Sequence, residues 1–165
     1  MILRILGILT VCLFAGSVAY AGSSEEELSL ILAADRASYE AGETIWCTLV
    51  LRNETDSTLT VNERLLLNYD ETFPHEILFH IHDPEGNQLE LVPLVKAGPL
   101  SEGDFRMLAP GDLVLKTVEL SRYFAFSREG QYLIRAVYEN YVQPEAVRAW
   151  TGRVESNQIK IGVRP

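Results

Sequence analysis

The chain has 165 residues, a formal net charge of −9, 47% hydrophobic residues and two cysteines. An acidic field of that size repels nucleic acid and anionic lipid headgroups, so neither is an expected partner. No Gly/Ser-rich linker, composition shift or internal repeat divides the chain, and its length suits one domain with a proper core.

The chain opens MILRILGILTVCLFAGSVAYA, with Arg4 ahead of an apolar run from Ile5 to Ala15 and an A-x-A site at Ala19-Tyr20-Ala21. This is the pattern of a signal peptide. The apolar run is shorter than the roughly 20 residues of a membrane span, and the acidic stretch Ser23 to Glu27 supplies no stop-transfer charge. Val11 is too bulky for a lipidation signal at Cys12. Export is therefore expected, to the periplasm or the medium, with residues 1–21 removed and no stable membrane anchor left. Residues 22–27 read as an acidic, flexible N-terminus and 28–165 as the folded domain. Cys47 is then the remaining cysteine, so no intramolecular disulfide is expected. Ile45, Cys47, Leu49 and Leu51 share one strand face, which places Cys47 in the core as a small hydrophobe.

Beyond residue 27 the segments alternate at period two between turn signals. LSLILAA (28–34) is a strand, YEAGE (39–43) a turn and TIWCTLVLRN (44–53) a second strand. NETDST (53–58) is a polar loop whose Asn and Asp favour local side-chain bonds; its Asn53-Glu54-Thr55 sequon is read as a surface turn. LTVN, RLLLNY and HEILFHIH (75–82) follow, then the turn DPEGNQ, with LELVPLV (89–95) expected to pair with the strand before it. KAGPLSEGD (96–104) is a loop, APGD (109–112) a turn, LVLKTVEL (113–120) a strand and SRYFAFSREG a crossing segment. QYLIRAVY (131–138) reads as a central strand. ENYVQPEAVRAWTG (139–152) is a long loop in which Pro144 is set to open a helical turn, and RVESNQIKIGV (153–163) closes the sheet. The pattern predicts an all-β fold, a two-sheet antiparallel β-sandwich of about eight or nine strands.

Gly130-x-Tyr132 ahead of an alternating strand is similar to the tyrosine corner of immunoglobulin-like domains, where a phenol bonds back to nearby backbone. The order YEAGE, LRNETDSTLTV, IHDPEGN, LAPGD and GQYLIRAVY resembles exported bacterial immunoglobulin-like domains. It is similar to BsuPI-type proteinase inhibitors and to the N-terminal domain of deuterolysin-like metallopeptidases, without the catalytic domain of the latter. AWTGRVESNQIKIGV resembles the closing hairpin of such modules. The resemblance covers most of residues 28–163 and implies an immunoglobulin-like fold, with proteinase inhibition as one implied function. No W-S-x-x-x-x-F-like segment of the inhibitor family is present.

All three histidines lie in HEILFHIH. A zinc peptidase needs H-E-x-x-H, with both histidines on one helix face. Here His75 and His80 are five residues apart, a helical rotation of about 500° that points them away from each other. Ile77, Phe79 and Ile81 alternate as the core face of a strand, which puts His80 and His82 on the opposite face, roughly 6–7 Å apart. Such a pair holds a metal when a third ligand arrives from a neighbour; otherwise it is a solvated strand face. DPEGNQLE lacks the D-x-[DN]-x-[DN]-G pattern of a calcium loop. There is no G-x-S-x-G elbow and no phosphate-binding loop, so neither catalysis nor a cofactor is expected.

Binding residues are expected in the loop 139–152, because sandwich folds carry them on end loops. Tyr141, Val142 and Trp150 are large apolar groups there, joined by Arg148, and Tyr, Trp and Arg dominate interface energies. Two placements stay open for Val142 and Trp150, a binding surface or a cap on the open end of the core. The loop 96–108, with Phe105, is a second candidate. The expected function is a non-catalytic exported module that binds an exported or envelope protein through an end loop or a sheet edge. A secreted inhibitor and a metal-binding protein are the alternatives.

Overall fold

The computed structural model describes residues 27–67, 76–92 and 99–165. The expected signal peptide and cleavage site, and His75, lie outside the described residues. Ten strands follow in order: β1 (Leu28–Ala34), β2 (Ser38–Glu40), β3 (Trp46–Asn53), β4 (Leu59–Asn62), β5 (Ile77–His82), β6 (Phe105–Leu108), β7 (Leu113–Glu119), β8 (Gly130–Asn140), β9 (Gly152–Glu155) and β10 (Ile159–Arg164). Two short 3₁₀ turns, Glu102–Asp104 and Leu120–Arg122, are the helical elements among the described residues. The chain is all-β.

The strands form a three-stranded sheet, β1-β3-β7, a second sheet ordered β2-β10-β8-β5 with β9 also on β8, and a β4-β6 ribbon. Alternation decides what each face does. In β3, Cys47, Leu49 and Leu51 point inward, and in β8 Tyr132, Ile134, Ala136 and Tyr138 do the same. These join Leu28, Leu30 and Leu32 of β1 and Ile77, Phe79 and Ile81 of β5 in one hydrophobic cluster. Each such side chain contributes about 1.5–3 kcal/mol when taken from water.

The two larger sheets are tied together where β9 gives way to β10. The ladder is interrupted at Ser156–Gln158, and Asn157 reaches across to β1. Its Oδ1 accepts from the Leu32 N–H at 2.9 Å and its Nδ2 donates to the Leu32 carbonyl at 3.0 Å. At the other end the Tyr132 hydroxyl donates to the Arg128 carbonyl and accepts from the Arg128 N–H, both at 2.9 Å, the backbone bond expected of that tyrosine. Gly130 sits at φ 128, and a Cβ there would come within 2.8 Å of Pro84.

Several expectations need correction. RLLLNY does not form a strand over its described part, Arg64 to Leu67. Leu65 adopts φ 46, a left-handed conformation that a bulky residue seldom takes. The buried Glu76 holds it there. Glu76 accepts from Arg64 Nε at 2.9 Å and from the Leu66 N–H at 3.2 Å, because a carboxylate taken from water needs a cation and donors. Leu89 to Val92 also forms no strand. Gln88 and Leu89 meet β5, but the far end of the β5 edge is taken by the Ile77 N–H bonding the Leu66 carbonyl. Val92 turns instead to the Tyr123 carbonyl at 2.8 Å. β2 lies parallel to β10, an exception to the antiparallel pattern that arises because the chain crosses between sheets after β1. Pro144 opens a single turn, closed by the Val147 N–H on the Pro144 carbonyl, and no helix. Asn53 itself is fully buried, while the rest of the stretch read as a surface turn, residues 54–58, is a bend on the surface.

Candidate functional site

In the three-stranded sheet, the Leu120 N–H meets the Ile45 carbonyl at 2.8 Å and the Asn53 N–H meets the Asp112 carbonyl at 3.0 Å, at the two ends of the β3–β7 register. Hydrogen-bonded pairs in an antiparallel ladder recur at every second residue. Val114, Lys116 and Val118 therefore commit their backbone groups to β3. The N–H and C=O groups of Leu113, Leu115, Thr117 and Glu119 point away from it, and no described strand pairs with that side. The opposite edge of this sheet is closed by Asn157 on Leu32, and the β5 edge is shared by Leu66 and Leu89. Among the described residues, β7 is the long open edge.

Beside it lies a cleft of about 380 Å³. Leu65, Val118, Trp46 and Tyr123 give it apolar walls, and Lys116 and Arg122 bring two cations to it, with Glu119 also lining it. Lys116 stands opposite the fully buried Leu49. Its stem thus runs along the inward side of the strand while its ammonium stays in the cleft, as long basic side chains do. The Arg122 guanidinium lies over the Tyr123 ring at 5.9 Å. Most other arginines of the described chain are in ion pairs, whereas neither Lys116 nor Arg122 has an acidic partner among the described residues.

The outward face of the same sheet is mixed, with Arg52, Thr48, Thr117 and Glu119 beside one apolar row. Ile31, Val50 and Leu115 form one row across its three strands, with Ile31 48% and Leu115 61% exposed. Leu113 and Trp46 lie on that face too. A strand added to β7 would extend this face with one set of its side chains and fill the cleft with the other.

The loop after β8 is braced by its own groups. Asn140 Nδ2 donates to the Trp150 carbonyl at 2.6 Å, and Gln143 Nε2 to the Ala149 carbonyl at 2.8 Å. The Trp150 ring stacks on the buried Tyr138, centroids 5.7 Å apart, while the backbone N–H of Trp150 donates to the Thr60 carbonyl at 2.7 Å. Trp150 therefore caps the core. Burial raises the Tyr138 phenol well above its ordinary pKa, so it stays a neutral packing partner. Tyr141 is 59% exposed, Arg148 is exposed and Val142 is half-buried. Phe105 opens β6 opposite Asn62 and is half-buried. The structure does not gather these residues into one concave site.

His80 and His82 stand on the outward face of β5, opposite Arg135 and Leu133 of β8. They line a shallow basin of about 350 Å³ with Glu155 and Gln158. Arg135 and Arg153 both bind Glu155, at 3.1 and 2.9 Å, and the Arg153 hydrogen bond holds that carboxyl below its ordinary range. No group of three or more His, Cys, Asp or Glu among the described residues is arranged to hold a metal ion.

The edge residues Leu115, Lys116 and Thr117 were not singled out by the sequence reading, although LVLKTVEL carries a signal for them. Val114, Lys116 and Val118 share the inward phase of the alternation, and an inward-pointing charge is a known mark of an edge strand. No protein-family model matches the chain, and no curated protein matches it.

Proposed function

We propose that this chain is an exported, non-catalytic binding module that takes up an extended segment of another exported or envelope protein by strand addition along β7. The carrying observation is the row of outward backbone groups at Leu113, Leu115, Thr117 and Glu119, with a cleft beside it. Main-chain bonds to such an edge supply affinity, and pockets for alternate side chains supply selectivity. The reading is compatible with the immunoglobulin-like sandwich that the sequence resembles, a fold whose edges lend themselves to such pairing.

Amide hydrogen exchange tests it. In the isolated protein the amides of Leu115 and Thr117 exchange fast and those of Lys116 and Val118 slowly, since only the latter are bonded across β3. Capture of a partner from the exported fraction should slow the outward amides of β7 selectively. Protection confined to the 141–151 loop would move the contact there and refute the edge reading.

A further inference from the structure

We infer that the segment taken up along β7 is an acidic strand in which carboxylates alternate with apolar side chains. The inference rests on the strand-addition reading and adds the chemistry of the partner. A strand laid on β7 presents alternate side chains to two different surroundings. On the outward face its neighbours are Leu113, Leu115, Thr117 and Glu119, with Leu115 continuous with Val50 and Ile31, so apolar side chains fit beside the two leucines. On the cleft face its neighbour is Lys116, flanked by Val114 and Val118, and Arg122 also lines the cleft.

Charge complementarity decides that second set. Lys116 and Arg122 share a half-enclosed cleft without an acidic partner among the described residues, in a chain whose net charge is −9. Opposite charges across neighbouring strands attract, and like charges directly opposite repel. A basic strand would meet both cations, and a wholly apolar one would cover the Lys116 ammonium without replacing its water. Glu119, at the end of the edge, leaves the acidic preference strongest at the Lys116 position.

The test uses two blocked nonapeptides, one alternating valine with glutamate and one alternating valine with lysine, titrated calorimetrically into the folded chain. The acidic peptide should bind about three- to tenfold more tightly, the difference expected of one or two partly screened charge pairs. Lys116→Glu combined with Arg122→Glu should invert the order. Thr117→Pro removes an outward N–H that the fold does not use, and proline is tolerated on such an edge; it should abolish binding of both peptides while circular dichroism stays unchanged. A valine–glutamate peptide N-methylated at alternate residues should fail as well, without any change to the protein. Undiminished binding by Thr117→Pro and by the methylated peptide would overturn strand addition itself. Loss of binding in those two, with peptide order unchanged by the charge reversal, would overturn the acidic partner and leave strand addition standing. Failure of both peptides to bind at millimolar concentration would overturn the inference.

Discussion

Asn53 offers the sharpest test of how the strands are held together. It ends β3 fully buried, and its side-chain amide joins three pieces of chain. Nδ2 donates to the Ser57 carbonyl at 2.8 Å, the Leu108 carbonyl at 3.0 Å and, more weakly, the Ala109 carbonyl at 3.2 Å. Oδ1 accepts from the Thr55 N–H at 2.9 Å and the Thr55 hydroxyl at 2.8 Å. Asn53→Ala removes every one of these bonds. The Leu108 carbonyl keeps the Leu59 N–H that meets it in the β4–β6 ladder, so what is lost is the net worth of the buried amide's own bonds, about 0.5–1.5 kcal/mol each. The Ser57 carbonyl is reached also by the Thr55 hydroxyl at 2.9 Å and adds little. With the small void left behind, the total is about 2–4 kcal/mol, or a fall in melting temperature of roughly 5–15 °C for a domain of this size. Asn53→Asp should do more damage at neutral pH, since a carboxylate would face three carbonyl oxygens, and should recover partly in acid as it gains a proton to donate. Urea unfolding followed by circular dichroism reads both. If Asn53→Ala stays within about 0.5 kcal/mol of the parent, the amide is not the clasp described.

Trp150→Ala should lose the stack on Tyr138 and open the end of the core, at a cost of about 2–3 kcal/mol, while Tyr141→Ala stays within about 0.5 kcal/mol; thermal melts separate the two. Burial pushes the Cys47 thiol up to about 12, so the native protein should resist thiol reagents at pH 8 and react once unfolded, and fast native labelling would place Cys47 at the surface. Five carboxyls among the described residues are held below their ordinary values, including Asp35 by the Tyr39 hydroxyl, Asp104 by the Ser101 N–H and Glu155 by the Arg153 hydrogen bond. Depressed carboxyl values mean that the folded form binds fewer protons, so stability holds from neutral pH down to about 5 and falls as the pH drops below roughly 4. A melting temperature that rises on acidification would contradict that sign.

The parts of the fold legible in the sequence are those where alternation is strong and both neighbours are close at hand. LSLILAA and TIWCTLVLRN read correctly because every second residue is large and apolar, and QYLIRAVY reads as central because its pattern carries apolar residues on both phases at Ala136, Val137 and Tyr138. RLLLNY misled because its run of leucines mimics a buried strand. What decides its course is a long-range pair, Arg64 with Glu76, and no local pattern encodes that. LELVPLV misled for a related reason: the edge it would join is already occupied by Leu66. Asn53 read as an exposed turn residue, since Asn and Asp favour turns, yet the same capacity for backbone bonding suits a buried clasp once three carbonyls converge. Of the site residues, Trp150 took the capping placement and His80 and His82 lie on the outward face foreseen for them. The open edge was only hinted at, by Lys116 on the inward phase of LVLKTVEL, because edge status belongs to the sheet as a whole.

Lys116 connects these lessons. An exposed edge of seven residues, backed by an apolar row, invites pairing with any strand, including a second copy of itself. Antiparallel pairing of two copies centred on Lys116 would set two ammonium groups opposite each other, which is unfavourable. Shifting the register by two residues either way would set Lys116 over Val114 or Val118 of the other copy and bury its charge unpaired, which is worse. The one inward lysine therefore penalises self-pairing in each of these three registers. A carboxylate-bearing strand removes the same penalty in one step. Specificity of this kind is a difference between partners and comes as much from what is repelled as from what is attracted. Lys116→Val should accordingly weaken the preference for an acidic peptide and, at the same time, raise the tendency of the protein to self-associate. Sedimentation velocity together with peptide titration measures both on one sample. A variant that lost the acidic preference yet stayed monomeric at high concentration would separate the two roles and leave the lysine as a recognition residue alone.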